Sequence, residues 1–237
     1  MATASLKKPK PIEYPTSDGK PMAETELHRI LMIAAIDMLQ YWYRDVSDVC
    51  VSGNLLMYYV RGDKRRHVSP DVFVAFGVPK RIRDYYLTWE EGKNPAVVIE
   101  LTSSSTKNED THKKFELYRD VLKVKEYFLF DPRADYLQPR LKGFRLRSGE
   151  YRPIALVEGR MPSRELELHL EAAGQELRFF DPATEQWLPT PQELLEQEVQ
   201  RAEQEKQRAD KAEREKALLL EENERLRRQL EFKRNGH

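Results

Sequence analysis

Apolar residues first fall into a helical rhythm at Leu27, Ile30, Leu31, Ala34 and Met38. Spacings of three and four predict a helix with one apolar stripe from Glu24 to about Trp42. The rhythm then shortens. Val49 to Ser52, Leu55 to Val60 after the Gly53-Asn54 turn, and Val72 to Val74 after Ser69-Pro70-Asp71 read as strands. Residues 77–95 carry several breakers and read as an exposed excursion. Val97, Val98 and Ile99 form an unbroken apolar run, the signature of a strand buried on both faces.

Past Leu101, Thr106 and Glu109 have the spacing of a capping box, which starts a helix near Lys107 that runs to about Leu122. Phe115, Tyr118 and Leu122 share its inward face. Tyr127 to Phe130 is a further strand, stopped by Asp131-Pro132. Short strand-like pieces between Gly143 and Phe180 predict an antiparallel β extension. From Gln192 to Arg234 there is neither Pro nor Gly, and about half the residues are charged. Heptads place Leu195, Ala202, Ala209, Lys216, Asn223 and Leu230 at one seam position and Glu198, Glu205, Ala212, Leu219 and Leu226 at the other. The last two heptads resemble a coiled-coil seam with Asn223 as its polar registry residue. A solvated single helix held by i,i+4 ion pairs is the alternative. The organisation is thus a mobile, Pro-rich segment over 1–21, a folded domain over 22–190 and a charged helix over 191–237.

Composition modifies this picture in one respect. The 237 residues carry 40 Lys+Arg and 40 Asp+Glu, a formal net charge of zero, which argues against a polybasic nucleic-acid coat. The single Cys50 precludes an intrachain disulfide and fits a reducing compartment. No apolar run reaches the roughly 18 residues that span a bilayer. Lys7, Lys8 and Lys10 are not followed by an apolar stretch, so no signal peptide is expected and the chain reads as cytoplasmic.

Candidate chemistry lies in carboxylates at costly positions. Glu100 ends the apolar strand, and Asp71 opens another. A carboxylate continuous with a buried strand should protonate or face a cation. Two of them on neighbouring strands can hold a hard divalent ion, or each can simply cap a strand end or pair with a nearby Arg. Asp110, Lys114 and Tyr118 share one helix face. That face could bring an ammonium to Glu100 to orient water, or it could hold only an Asp110–Lys114 pair. Arg61, Lys64, Arg65, Arg66 and His67 precede the Asp71 strand, and Lys80, Arg81 and Arg83 follow it. They suit a nucleic-acid backbone, DNA being the first candidate, or they are merely solvated loops.

The order of these pieces resembles the Uma-type restriction endonuclease family, a branch of the PD-(D/E)XK nuclease superfamily. The resemblance spans about residues 20–190. It is carried by His28, Ser69-Pro70-Asp71, Glu100 with Ser103, Ser105 and Thr106, then Asp110, Lys114, Tyr118 and Glu126 to Pro132. It implies an α/β fold, a mixed sheet flanked by helices, and phosphodiester hydrolysis dependent on Mg²⁺ or Mn²⁺. Asp71 and Glu100 would be the metal ligands, with the Leu101 carbonyl a candidate third. The superfamily lysine belongs two residues after the acid, where this chain has Thr102. The resemblance therefore assigns its role to Lys114 on the next helix, with Lys113 as the neighbouring alternative. Glu24 or Glu26 is the candidate helix-borne acid, against a role as solvated first-turn acids. His28 reads as a packed or hydrogen-bonded histidine rather than a ligand, and Asp131 as a strand-end turn former. The competing function is a catalytically silent scaffold acting through the C-terminal helix. In either case the helix makes a homo-oligomer the expected assembly.

Overall fold

The strand Val97–Leu101 lies inside the main sheet with all five residues buried. In the computed structural model it is β6 of a six-stranded sheet ordered β1 (Val49–Ser52), β4 (Val72–Phe76), β6, β7 (Glu126–Phe130), β8 (Leu141–Arg147) and β9 (Glu150–Pro153). Neighbours pair antiparallel except β6 and β7, which are parallel and joined by a helical crossover. The structure describes residues 13–17 and 25–235. Glu24 and most of the mobile segment expected over 1–21 lie outside the described residues.

Strand alternation sorts the core into two layers. Val97, Ile99 and Leu101 face the helix α1 (Glu26–Trp42), together with Val72, Val74, Phe128 and Phe130. Val98 faces the opposite way with Phe73, Tyr127 and Leu129, under Tyr118 of helix α3 (residues 109–121) and Leu122 at its C-cap. Glu100 shares that second face by its position in the strand. The α1 stripe is rotated from the expected one. Leu31, Met32, Ala35, Met38 and Leu39 are buried, whereas Ile30 is 54% exposed. His28 precedes Leu31, Met32 and Ala35 by three, four and seven residues, so this rotation turns His28 toward the sheet.

Two other expectations need correction. Residues 77–95 are not an exposed excursion. Val78, Tyr86 and Leu87 are buried, and β5 (Tyr86–Leu87), which runs into the short helix α2 (Thr88–Glu91), pairs in parallel with β2 (Met57–Tyr58), which pairs antiparallel with β3 (His67–Val68). Tyr86 packs edge-on to Phe73, with ring centroids 5.2 Å apart. The Thr106–Glu109 capping box does not form either. The Thr106 hydroxyl turns back to accept the Ser103 N–H at 3.0 Å.

An antiparallel extension, β10 (Met161–Ser163), β11 (Leu168–Ala173), β12 (Glu176–Asp181) and β13 (Gln186–Trp187), completes the α1 layer. Buried Glu126 ties it to the main sheet by accepting from Arg145 Nε at 2.7 Å and from the Ser163 hydroxyl. The described residues through Leu188 form one compact unit, and those from Pro189 form another. Within the second, α4 (Pro191–Asn235) starts with a reciprocal capping box. The Glu193 N–H donates to Thr190 Oγ1 at 3.2 Å, and the Thr190 N–H donates to Glu193 Oε2 at 2.7 Å. Among the described residues, no helix is long and apolar enough to cross a membrane.

Candidate active site

Asp71 stands one residue before β4, whose Val72 pairs with Ile99, so the register sets Asp71 across from Glu100. Backbone amides lock the two acids together. The Asp71 N–H donates to Glu100 Oε2 at 3.3 Å, and the Leu101 N–H donates to Asp71 Oδ2 at 2.8 Å. Gly53 makes this approach possible. A Cβ on Gly53 would lie 1.9 Å from the Asp71 carbonyl oxygen, so only glycine lets the turn pass there.

Helix α3 supplies the remaining partners of Glu100. The Tyr118 hydroxyl donates to Oε1 at 2.7 Å, and Lys114 Nζ lies 3.0 Å from Oε2. Asp110 Oδ1 holds the same ammonium at 3.3 Å. Thr102 Oγ1 in turn donates to Asp110 Oδ2 at 2.8 Å and lies 2.6 Å from the Tyr136 hydroxyl. Position 102, where the superfamily pattern has lysine, thus carries a hydroxyl that braces the partner of the helix-borne lysine. Lys113 is exposed and lines the neighbouring groove rather than the cavity over Asp71. Turns of π-helix over Glu109–Lys113 and Leu117–Val121 flank Lys114, an uncommon geometry that recurs at functional sites.

His28 reaches the site from α1, with Nε2 3.2 Å from Asp71 Oδ1. Thr25 caps that helix and accepts the His28 N–H, which fixes the first turn over the site. Glu26 is exposed and is not among the residues lining the cavity. Histidine is thus the helix-borne residue that meets the acids, in the hydrogen-bonded form of the packed or hydrogen-bonded role the sequence suggests for it. Its common face with Leu31 and Ala35 was the available signal.

A cavity of about 260 Å³ opens over Asp71, His28, Ser103, Thr106 and Lys114. Glu100 is fully buried below it. Asp131, also at the cavity, accepts N–H bonds from Arg133, Tyr136 and Leu137 at 3.2, 2.9 and 3.0 Å, the work of a turn former. A second, more open groove of about 540 Å³ shares Ser69 and Lys114 with the first and runs past Arg66, His67 and Lys113.

Arg61, Lys64, Arg65 and Arg66 are exposed on the β2–β3 hairpin, with Arg65 paired to Asp63 at 3.1 Å. Lys80, Arg81 and Arg83 lie past the far end of β4, which separates them from Asp71 by roughly 17 Å of strand. There Arg83 grips Glu91 through Nε at 2.8 Å and Nη2 at 3.0 Å, and Arg81 reaches the same carboxylate at 2.6 Å. Lys80 Nζ donates to the Tyr43 and Arg44 carbonyls at the end of α1. The two basic loops that flank Asp71 in sequence do not form one patch around it.

A family model described as "Putative restriction endonuclease", Uma2, matches residues 6–179. The chain belongs to the Uma2 family. A solved structure of a putative nuclease belonging to DUF820 from Anabaena variabilis is 17% identical, with a TM-score of 0.47. The match covers 68% of this chain and 87% of that one. No curated protein matches.

Three carboxyl groups surround one ammonium in this Uma2 site. Burial pushes the Glu100 carboxyl well above the usual carboxylate range; Lys114 opposes this, while Asp71 and Asp110 add to it. Burial would also raise the Asp71 carboxyl, but the His28 hydrogen bond, Lys114 and the Leu101 N–H together hold it low. For Lys114, burial acts downward and is outweighed by Glu100, Asp110 and Asp71, so the ammonium stays charged. Such an excess of acid is what a hard divalent cation would balance, and Asp71 and Glu100 are the candidate oxygen donors for one. Among the described residues, no three His, Cys, Asp or Glu side chains form a ready-made cage. Further ligands would have to be water, backbone or substrate oxygens.

Proposed function

We propose that this chain is a Mg²⁺- or Mn²⁺-dependent endonuclease that hydrolyses phosphodiester bonds, DNA being the preferred substrate, in the cytoplasm. The observation that carries the reading is the contact of Glu100 with both the Asp71 amide and the Lys114 ammonium in a member of the Uma2 family. Asp71 and Glu100 would hold the cation, which when bound polarises the scissile phosphate and acidifies water.

The chain's own residues do the rest. Lys114, held by Asp110 beside the carboxylates, orients the attacking water and stabilises negative charge on the phosphoryl oxygens. His28 steadies Asp71, and Tyr118 fixes the rotamer of Glu100. Exposed Arg66 and Lys113 line the groove that continues from Lys114 and would take the flanking phosphates. The test is incubation of the purified chain with plasmid, single-stranded DNA and RNA under Mg²⁺ or Mn²⁺. Cleavage by the wild type and none by Glu100→Gln is the expected result. Intact substrates in every reaction would overturn the reading.

The second reading, a silent nuclease-like scaffold, draws on Glu100 lying below the cavity with both oxygens engaged by protein donors. Calorimetric titration with Mn²⁺ separates the two. The nuclease binds the ion and loses it with Glu100→Gln, and the scaffold does not bind it. Either reading has the chain work as a homo-oligomer joined through α4.

A further inference from the structure

Helix α4 presents leucines with no apolar cover. Leu219, Leu226 and Leu230 are 60%, 50% and 67% exposed, and Leu220 beside them is 57% exposed. Leu219, Leu226 and Leu230 fall on one seam with Ala209, Ala212, Lys216 and Asn223, a 3-4 alternation kept from Ala209 to Leu230. A helix this polar elsewhere gains little by burying that seam on anything except a matching stripe.

The polar seam residues specify the match. Lys216 and Asn223 occupy the a position, and Leu219 and Leu226 occupy d. Leucine at d with a polar residue at a favours two strands. Parallel, in-register pairing places Asn223 against Asn223, where each amide finds the other. Antiparallel pairing would set it against a leucine. In α4 alone, the Asn223 amide donates to the Leu219 carbonyl of its own helix at 2.9 Å. The flanking charges agree with the parallel arrangement. Glu222 at g of one copy meets Arg227 at e of the other, and Arg208 likewise meets Glu213. Lys216 at a lies beside Glu215 of the opposite strand. The like-charged pair, Arg201 with Lys206, falls before the apolar part of the seam begins.

We infer that α4 pairs with α4 of a second copy of this chain as a parallel, in-register two-stranded coiled coil over residues 209–230. The inference deepens the self-association just proposed and does not depend on the nuclease chemistry. It is tested on the full chain by mass and crosslinking rather than by cleavage. Sedimentation equilibrium at high micromolar concentration should give twice the 28.0 kDa chain mass. Leu219→Asp with Leu226→Asp should return it to one chain mass, with the thermal midpoint of the folded unit unchanged.

Arg227→Glu should weaken the dimer roughly tenfold, since two symmetric ion pairs become repulsions. Adding Glu222→Arg should restore it. In a Cys50→Ala background, Leu226→Cys should oxidise to a disulfide-linked dimer, because only parallel in-register strands bring two d positions together. A monomer at every concentration overturns the inference. So does a dimer that survives the double aspartate variant, or one in which Leu226→Cys fails to crosslink.

Discussion

The amide of Asp71 donates to Glu100 Oε2 at 3.3 Å while the amide following Glu100 donates back to Asp71 Oδ2 at 2.8 Å. Each acid is therefore held by the backbone of the strand carrying the other. The sheet itself is the scaffold of the site. Perturbing the strand register should affect chemistry as directly as perturbing the acids.

Glu100→Gln keeps the volume and the Tyr118 hydrogen bond but removes the charge facing Lys114. Cleavage should fall by at least about 10²-fold, the loss typical of removing a principal electrostatic group. Circular dichroism and the thermal midpoint should stay close to wild type. A collapse of the fold in this variant would show that Glu100 serves structure first.

Gly53→Ala forces a Cβ to within 1.9 Å of the Asp71 carbonyl oxygen. Backbone must move, at a cost of about 1–3 kcal/mol. Calorimetry should record a lower melting temperature, and cleavage should drop more than stability alone explains because Asp71 moves with the strand. Unchanged melting and activity would mean that the turn is not tied to Asp71.

The Glu91 carboxyl is held below its usual range, chiefly by the Arg83 hydrogen bonds, with burial opposing and Arg81 assisting. A depressed folded-state value contributes stability that is complete above the unfolded value near 4.5 and is lost as pH falls through the folded value. Glu91→Gln should therefore melt well below wild type at neutral pH. The two melting curves should converge as pH is lowered below about 4.5. A constant difference across that range would contradict the assignment.

Arg83 and Arg66 should respond in opposite ways. Arg83 is consumed by Glu91 with both side chains nearly buried, 6% and 5% exposed, and breaking such a pair costs about 3–5 kcal/mol. Arg83→Ala should lower stability, with nucleic-acid affinity little altered in the folded fraction. Arg66→Ala should leave melting unchanged and weaken binding, with a shallower dependence on salt, as expected when one phosphate contact is lost. Fluorescence anisotropy with labelled DNA in a salt series distinguishes them. Equal losses of affinity would restore a single basic patch.

Much of the fold was legible in the chain because its signals are local. The apolar run ending in Glu100 reads as a strand buried on both faces, the Pro-free charged stretch after Pro191 reads as a long helix, and both elements form. Misreadings arose where a side chain had two partners to choose from. Thr106 had the spacing to cap a helix but bonds back to Ser103 within its own loop. Tyr86 sat among breakers yet is fully buried, because Phe73 offers its ring and β2 offers a strand edge.

For the site, residue order alone singled out Asp71, Glu100 and the helix face of Asp110, Lys114 and Tyr118, since alternation and helical spacing fix which way neighbours point. Only the tertiary structure decided which distant groups share that space. It turned Lys114 rather than Lys113 toward Glu100, brought His28 from the first helix onto Asp71, and made Thr102 a brace for Asp110. It also sent the two basic loops to opposite ends of β4, where Arg83 is neutralised by Glu91. Periodicity sets the direction of a side chain within its own element. What that side chain meets depends on register and packing between elements far apart in the chain, and no local pattern encodes that.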